Sequence, residues 1–283
     1  MIKILSDSTC DLSEDLVSRY NLGIVPLRIV LDDKDFRDRT EITPDEIYAW
    51  SDANKTTPKT AACSLEDVAY AYKQALAEAD EVIVFTISVS MSTTNNIFRI
   101  VAEEMGISDK VSVVDSANLS TGIGLLVCEA AEMVQAGKSR GEIVAEMEEL
   151  KPLVRASFVT DTLTYLYRGG RCSAVAALAG GVLKLHPKIM VENGAMRPDK
   201  KYRGKIDKVI VEYAEDSKAE LLKARKERVF ITHSGCSEET IDLVRNFLNE
   251  LNYFDEILVT RAGGVISSHC GWGTLGVLFI AGE

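Results

Sequence analysis

The chain has 283 residues, 46% hydrophobic and 27% charged, an ordinary globular mixture that excludes a disordered chain. Its formal net charge of −11 argues against general attraction to nucleic acid. The longest apolar run, CSAVAALAGGVL at 172–183, is bounded by Arg171 and Lys184; it falls short of the roughly 18–20 residues that cross a bilayer, so it reads as a buried helix and no stable membrane insertion is expected.

The opening MIKILSDSTCDLSED lacks the roughly 7–15-residue apolar core of a secretory signal, and a cytoplasmic location is expected. IKIL at 2–5, GIVPLRIVL at 23–31, EVIVFTI at 81–87 and KVSVVDS at 110–116 read as strands alternating with helical patterns, the mark of βαβ units and a parallel sheet. Thr43-Pro44-Asp45-Glu46 supplies an N-cap, a proline at the first helical position and a reciprocal Glu, and Ser64 with Asp67 repeats the logic more loosely. A helix fills 119–136 and stops at Gly137, and another starts at Ser139 with Glu142 completing its capping box.

Beyond Pro152 the pattern changes. ASFVT (156–160), PKIMVEN (187–193) and GAMRP (194–198) read as short strands around a glycine-rich centre. One amphipathic helix is expected over 204–226, and RVFITHS (228–234), EILVTRA (256–262) and LGVLFIA (275–281) close the chain as strands. The fold class is therefore α/β: a parallel-sheet α/β domain at 1–155 and a smaller mixed-sheet α/β domain at 156–283.

Charge is unevenly spread. Residues 151–210 hold 12 Lys or Arg against 4 acids, a local +8 that leaves −19 for the rest. A basic face on an acidic body suits docking with something anionic, although a solvated surface without a partner fits the charge equally well. The six cysteines, at 10, 63, 128, 172, 236 and 270, contain no C-x-x-C pair and read as reduced thiols. Nothing in the spacing of Cys10, Cys63, His269 and Cys270 suggests a zinc site, and no metal is expected.

Familiar motifs fail on context. Gly137-Lys-Ser-Arg-Gly141 matches G-x-S-x-G, but a helix precedes it where a nucleophile elbow needs a strand, so Ser139 reads as a cap. Gly271–Gly276 matches G-x-G-x-x-G, yet the sequence runs only to 283, too short for the helix, strand and acid of a dinucleotide site. What remains are hydroxyl clusters after strands: Ser6 to Thr9, Thr56 to Ser64, Ser88 to Thr94, and Ser267 and Ser268 beside His269. At the carboxyl ends of a parallel sheet they can converge on a ligand. Without a cation among them they suit a single small anionic or polar head group. Ser64 and Ser92 also read as helix caps. His269, one of three histidines, would by itself be read as a satisfied core residue. A hydrolase or acyltransferase is the competing class, with Ser92 or Ser8 as nucleophile, His269 as base and Asp7 or Asp115 orienting it.

As a set, these residues resemble the DegV family of bacterial fatty-acid-binding proteins along nearly the whole chain. The matching pieces are Asp7-Ser8-Thr9-Cys10-Asp11-Leu12, Pro26-Leu27, Lys59-Thr60 with Ser64, Ser90-Met91-Ser92 with Thr94, and Val114-Asp115-Ser116 with Ser120, Gly122 and Gly124. Leu166-Tyr-Arg-Gly-Gly-Arg171, Pro187, Arg203 and His269-x-Gly271-x-Gly273 follow in order. The resemblance implies a carrier without a cofactor that buries one long-chain fatty acid between two domains and does not itself catalyse. The carboxylate would be held by Thr60, Ser92 and His269, with Thr93, Thr94 and Ser64 as further head-group contacts and glycines around His269 letting the backbone approach the ligand. The acid would be presented to a fatty acid kinase subunit for acyl-phosphate formation, with Arg171 and Arg203 on the docking surface and transient contact with a membrane surface. Burying about fourteen methylenes at about 0.8 kcal/mol each gives roughly 11 kcal/mol gross, so the chain can carry the affinity while the head group needs only partners.

The sequence departs from the family pattern near that head group. Ala61, Ala62 and Cys63 replace the S-x-P of T-S-x-P-S, and Thr93, Asn95 and Asn96 stand where Gly, Tyr and Gln are usual. Cys270 and Trp272 interrupt the common H-T-G-P-G form. A donor is lost at 61 and one gained at 93, so an altered chain type or head-group geometry is expected.

Overall fold

The structure, a computed structural model, describes residues 1–172 and 185–282. The run expected as a buried helix at 172–183 lies, after Cys172, outside the described residues. The first part contains β1 (Ile2–Asp7), α1 (Glu14–Arg19), β2 (Gly23–Val25), β3 (Arg28–Leu31), β4 (Lys34–Arg37), α2 (Pro44–Asn54), β5 (Lys59–Ala61) and α3 (Leu65–Glu78). It continues through β6 (Glu81–Thr86), α4 (Thr94–Glu104), β7 (Val111–Asp115), α5 (Thr121–Gln135) and α6 (Arg140–Leu150). A parallel sheet runs in the order β2-β1-β6-β7. Val82 to Phe85 of β6 are wholly buried, as befits a central strand with helices packed on both faces.

The apolar run at 23–31 reads as one strand but folds as two. β2 joins the parallel sheet, and β3 turns into a small antiparallel sheet ordered β4-β3-β5. Pro26 has no N–H to give a ladder, and the Leu27 N–H donates instead to Ser8 Oγ at 3.1 Å. The caps predicted at Thr43, Ser64 and Ser139 form: Thr43 with Glu46 and Ser139 with Glu142 make reciprocal capping boxes, and Ser64 Oγ accepts the Asp67 N–H at 3.0 Å. The cap expected at Ser92 does not: Thr93 occupies the N-cap of α4 without a side-chain cap bond, and Ser92 Oγ accepts the Thr94 N–H at 3.2 Å.

From Val154 onward the elements are β8 (Val154–Val159), α7 (Thr164–Gly169), β9 (Leu185–Glu192), β10 (Ala195–Arg203), α8 (Ile206–Asp216) and α9 (Lys218–Leu221). Then come β11 (Arg228–His233), α10 (Glu238–Glu250), β12 (Glu256–Arg261), α11 (Gly264–Cys270) and β13 (Leu275–Ile280). A mixed six-stranded sheet runs β10-β9-β8-β13-β11-β12, parallel only between β11 and β12. β9 and β10 join through Asn193-Gly194, both at positive φ (50° and 78°), the twist a two-residue hairpin needs. The single helix expected at 204–226 is broken. Ser217 Oγ donates to the Tyr213 carbonyl at 3.0 Å, helix geometry is interrupted between α8 and α9, and by Ala224 the chain bridges Ala281.

One apolar cluster runs from Ile83 and Phe85 through α5 to Phe158, Phe230 and Leu278, so the two sheets share a core. Tyr48 of α2 packs edge-on to Trp272 (5.7 Å between rings) and to Tyr165 of α7 (6.3 Å), and its hydroxyl donates to the Ser234 carbonyl at 3.1 Å. No helix among the described residues is long and apolar enough to cross a membrane.

Candidate functional site

The site forms where β1, β6 and the small antiparallel sheet end. After β1, the buried Asp7 carboxylate accepts the N–H groups of Thr9 (3.0 Å) and Ile87 (2.7 Å), tying the loop after β1 to the loop after β6. Burial pushes its pKa up to about 6 despite those bonds. In the second loop Ser88 Oγ donates to the Gly194 carbonyl at 2.7 Å, and the Met91 and Ser92 N–H groups return to the Ser88 carbonyl. These bonds turn Ser92 and Thr93 toward a cleft of about 480 Å³ whose walls also include Thr60, Arg171 and His269. Leu27, Ile87, Met91, Leu119, Met196 and Ile266 supply its apolar lining. The volume falls in the range of small-molecule sites.

Thr60 is placed by β5, opposite Ile29 of β3. Its hydroxyl lies 2.8 Å from His269 Nε2. Burial first, and the charge of Arg171 second, hold the His269 pKa down at about 4, so the imidazole is neutral near pH 7. His269 Nδ1 is buried and has no partner among the described residues. It packs on Gly169, where a Cβ would lie 2.3 Å from that nitrogen, so the first glycine of the Arg168-Gly-Gly-Arg171 segment makes room for the ring. Arg171 turns back to donate to the Gly169 carbonyl at 2.9 Å.

His269, flanked by glycines in the sequence, sits near the end of α11. The neighbouring glycines do not open the backbone to a ligand as expected. A Cβ at Gly264 would lie 2.5 Å from Ile29, and one at Gly271 2.5 Å from the Tyr165 ring, so these glycines let the helix ends dock against other elements. The N–H groups of Gly263 and Gly264 are taken by the carboxylates of Asp11 and Asp38, each at 2.8 Å. Both acids are buried; desolvation raises Asp11 to about 7 and raises Asp38 as well. Asp11 lies in the Asp7–Leu12 motif, where nothing in the sequence separates its role from that of its neighbours, and Asp38 carries no local signal at all.

Thr60, Ser92, Thr93, Arg171 and His269 thus converge. Thr94 and Ser64 stand behind the wall: Thr94 is fully buried with its hydroxyl 2.9 Å from Ser92 Oγ, and the Ser64 hydroxyl donates to Asp67 at 2.8 Å. Arg203 is exposed at the end of β10, away from the cleft lining, so Arg171 and Arg203 do not occupy equivalent positions. Ala61, Ala62 and Cys270 line the cleft, and Cys63 is buried. The Ser–His–acid arrangement of a hydrolase is not assembled among the described residues. Ser8 is fully buried and donates to Asp38 at 2.7 Å, Ser92 is bonded to Thr94, Asp7 and Asp115 accept backbone N–H groups, and no acid meets His269. Among the described residues no group of His, Cys, Asp and Glu is disposed to hold a metal ion.

Comparison with known proteins agrees with this architecture. A family model described as "Uncharacterised protein, DegV family" matches residues 1–282. A DegV domain-containing protein of Deinococcus radiodurans is 32% identical over 276 residues, 98% of this chain and 97% of its own. Among solved structures, a fatty-acid-binding DegV family protein from Thermus thermophilus superposes with a TM-score of 0.89 at 32% identity, covering 99% of each chain. A DegV lipid-binding protein from Thermotoga maritima gives 0.85 at 29%, covering all of this chain and 99% of its own. By its sequence over its whole length and by its two sheets, the chain belongs to the DegV family.

Proposed function

We propose that this protein binds one long-chain fatty acid in the cleft, with the carboxylate beside Thr60, Ser92 and His269 and the alkyl chain along the apolar walls. The observation that carries the reading is the Thr60–His269 pair, 2.8 Å apart and set in a mostly apolar cleft of about 480 Å³. A carboxylate arriving there raises the imidazole pKa from about 4 toward its ordinary value, because an opposite charge favours the protonated ring. His269 Nδ1, without a partner among the described residues, and the hydroxyls of Ser92 and Thr93 supply further polarity at the same wall. The fatty-acid-binding relatives support the ligand class.

The protein acts as a carrier that presents the carboxylate to a kinase subunit in the cytoplasm, a compartment whose reducing chemistry suits a chain with six cysteines and no C-x-x-C pair. Arg171 at the cleft and Arg203 on the exposed end of β10 face that partner. Native mass spectrometry of protein purified from a bacterial host, followed by denaturation, tests the first step: a stoichiometric fatty acid is expected. An empty protein that also refuses added palmitate overturns the reading. For the second step, Arg203→Ala should retain palmitate yet slow acyl-phosphate formation when a kinase subunit is supplied. Unchanged turnover removes Arg203 from the docking surface.

A further inference from the structure

The two ends of α11 lie in opposite surroundings. Its last turn offers His269 to the cleft. At its start, the N–H groups of the N-cap Gly263 and of Gly264 are gripped by carboxylates from the other part of the chain: Gly263 donates to Asp11 Oδ1 and Gly264 to Asp38 Oδ1, both at 2.8 Å. Each carboxylate is itself fixed through its second oxygen, with Ser120 Oγ donating to Asp11 Oδ2 at 2.5 Å and Ser8 Oγ to Asp38 Oδ2 at 2.7 Å. The acids are 2% and 1% exposed. Arg39 donates to the nearby Leu12 carbonyl at 2.8 Å, but its buried Nη1 has no partner among the described residues.

Two features mark this grip as more than a cap. Ser120 holds φ 54°, ψ −144°, a backbone state that costs a non-glycine residue energy and persists only where its surroundings enforce it. Burying two acids is also costly, whether as desolvated anions or by holding their protons, where a hydroxyl or amide cap would serve. A seven-residue helix is too short to hold its own geometry, and at about 1.5 Å per residue it is only about 10 Å long. Displacing its first turn therefore displaces His269 relative to Thr60.

We propose that Asp11 and Asp38 are positioning residues for the head-group site: by holding the first turn of α11 they set where His269 meets Thr60 and the ligand. The ligand half of this statement rests on the fatty-acid reading above; the positioning half does not.

The test uses the full chain with ¹⁵N-labelled histidine and palmitate as the probe. Ser120→Ala removes one hydroxyl from Asp11, and Asp38→Ala removes one grip entirely. Both should shift the His269 imidazole resonances and weaken palmitate binding, by about tenfold for Asp38→Ala, the scale on which supporting contacts usually act. Asp38→Asn keeps an acceptor for the Gly264 N–H and should restore most of both readouts. The proposal is overturned if His269 resonances stay at their wild-type positions in Asp38→Ala and Ser120→Ala, or if Asp38→Asn is as impaired as Asp38→Ala. Should Asp38→Ala fail to fold, Ser120→Ala and Asp38→Asn still decide. Wild-type protein that refuses palmitate would remove the fatty-acid reading alone, since the resonance shifts report positioning without a ligand.

Discussion

The parallel four-stranded sheet and the mixed six-stranded sheet meet at one cleft but contribute to it differently. The first concentrates buried polar groups at its strand ends: Ser6, Asp7, Ser8, Thr9, Thr86 and Ser88 are all 0% exposed, and each side chain has a hydrogen-bond partner. The second is apolar through its middle, with every residue of β13 buried. The later part of the chain brings Arg171 on the segment after α7 and His269 on a short helix. The hydroxyl wall is thus inseparable from its scaffold, whereas the imidazole is delivered as a separate piece. Mutations in the two regions should therefore partition differently between folding and binding.

The sharpest way to break this contrast is Phe85→Ala. Phe85 lies on β6, wholly buried, two residues before the loop that begins at Ile87. The loss should be about 3–5 kcal/mol in denaturant unfolding, with palmitate binding falling alongside; retained binding at full stoichiometry would show that the loop does not depend on the strand. His269→Ala should do the reverse. About tenfold weaker palmitate binding, or about 1.4 kcal/mol, should accompany a nearly unchanged melting temperature, because among the described residues the ring makes one hydrogen bond and leaves one nitrogen unpaired; calorimetry of binding and of melting separates the two. Ser139→Ala, at the capping box of α6, should cost about 1 kcal/mol and leave palmitate affinity unaltered.

The smallest effect is a pH slope. The folded state raises Asp11 from 3.8 to about 7, so it holds a proton that the unfolded chain has released, and the associated stability is lost as pH rises from about 4 to 7. His269, lowered from 6.5 to about 4, has the opposite sign: the unfolded chain takes the proton first, and stability falls as pH drops through that window. Melting temperatures across pH 5 to 7 should fall less steeply with rising pH in Asp11→Asn than in wild type. Equal slopes would mean that Asp11 is ionised in the folded protein at pH 5.

Much of this fold was legible because its signals are local. The boxes at Thr43 and Ser139 follow from residues three apart, and the strands at 2–5, 81–87 and 110–116 from short apolar runs between turns. Pro26 carried the signal for a break, which the apolar length around it obscured. What escaped depends on distant contacts. Ser217 back-bonds inside an otherwise helical pattern, β4 is mostly exposed and has no strand-like alternation, and the helical state of 264–270 is capped by acids more than 220 residues away in sequence. The Thr60–His269 meeting spans 209 residues and was accessible only through resemblance to a family, never through spacing.

The aromatic contact between α2 and the segment after α11 has a practical corollary. The chain has two tryptophans; Trp50 donates to Asp32 at 3.2 Å, and Trp272 is 52% exposed while leaning on Tyr48. Tyr48 in turn touches Tyr165 at the start of α7, the helix that leads to Gly169 and Arg171. Any rearrangement that draws the segment after α11 away from α2 strips the indole of its aromatic neighbour and reddens its emission. The protein therefore carries an intrinsic optical gauge of the contact between α2 and the segment after α11, readable in a stopped-flow cuvette without a label.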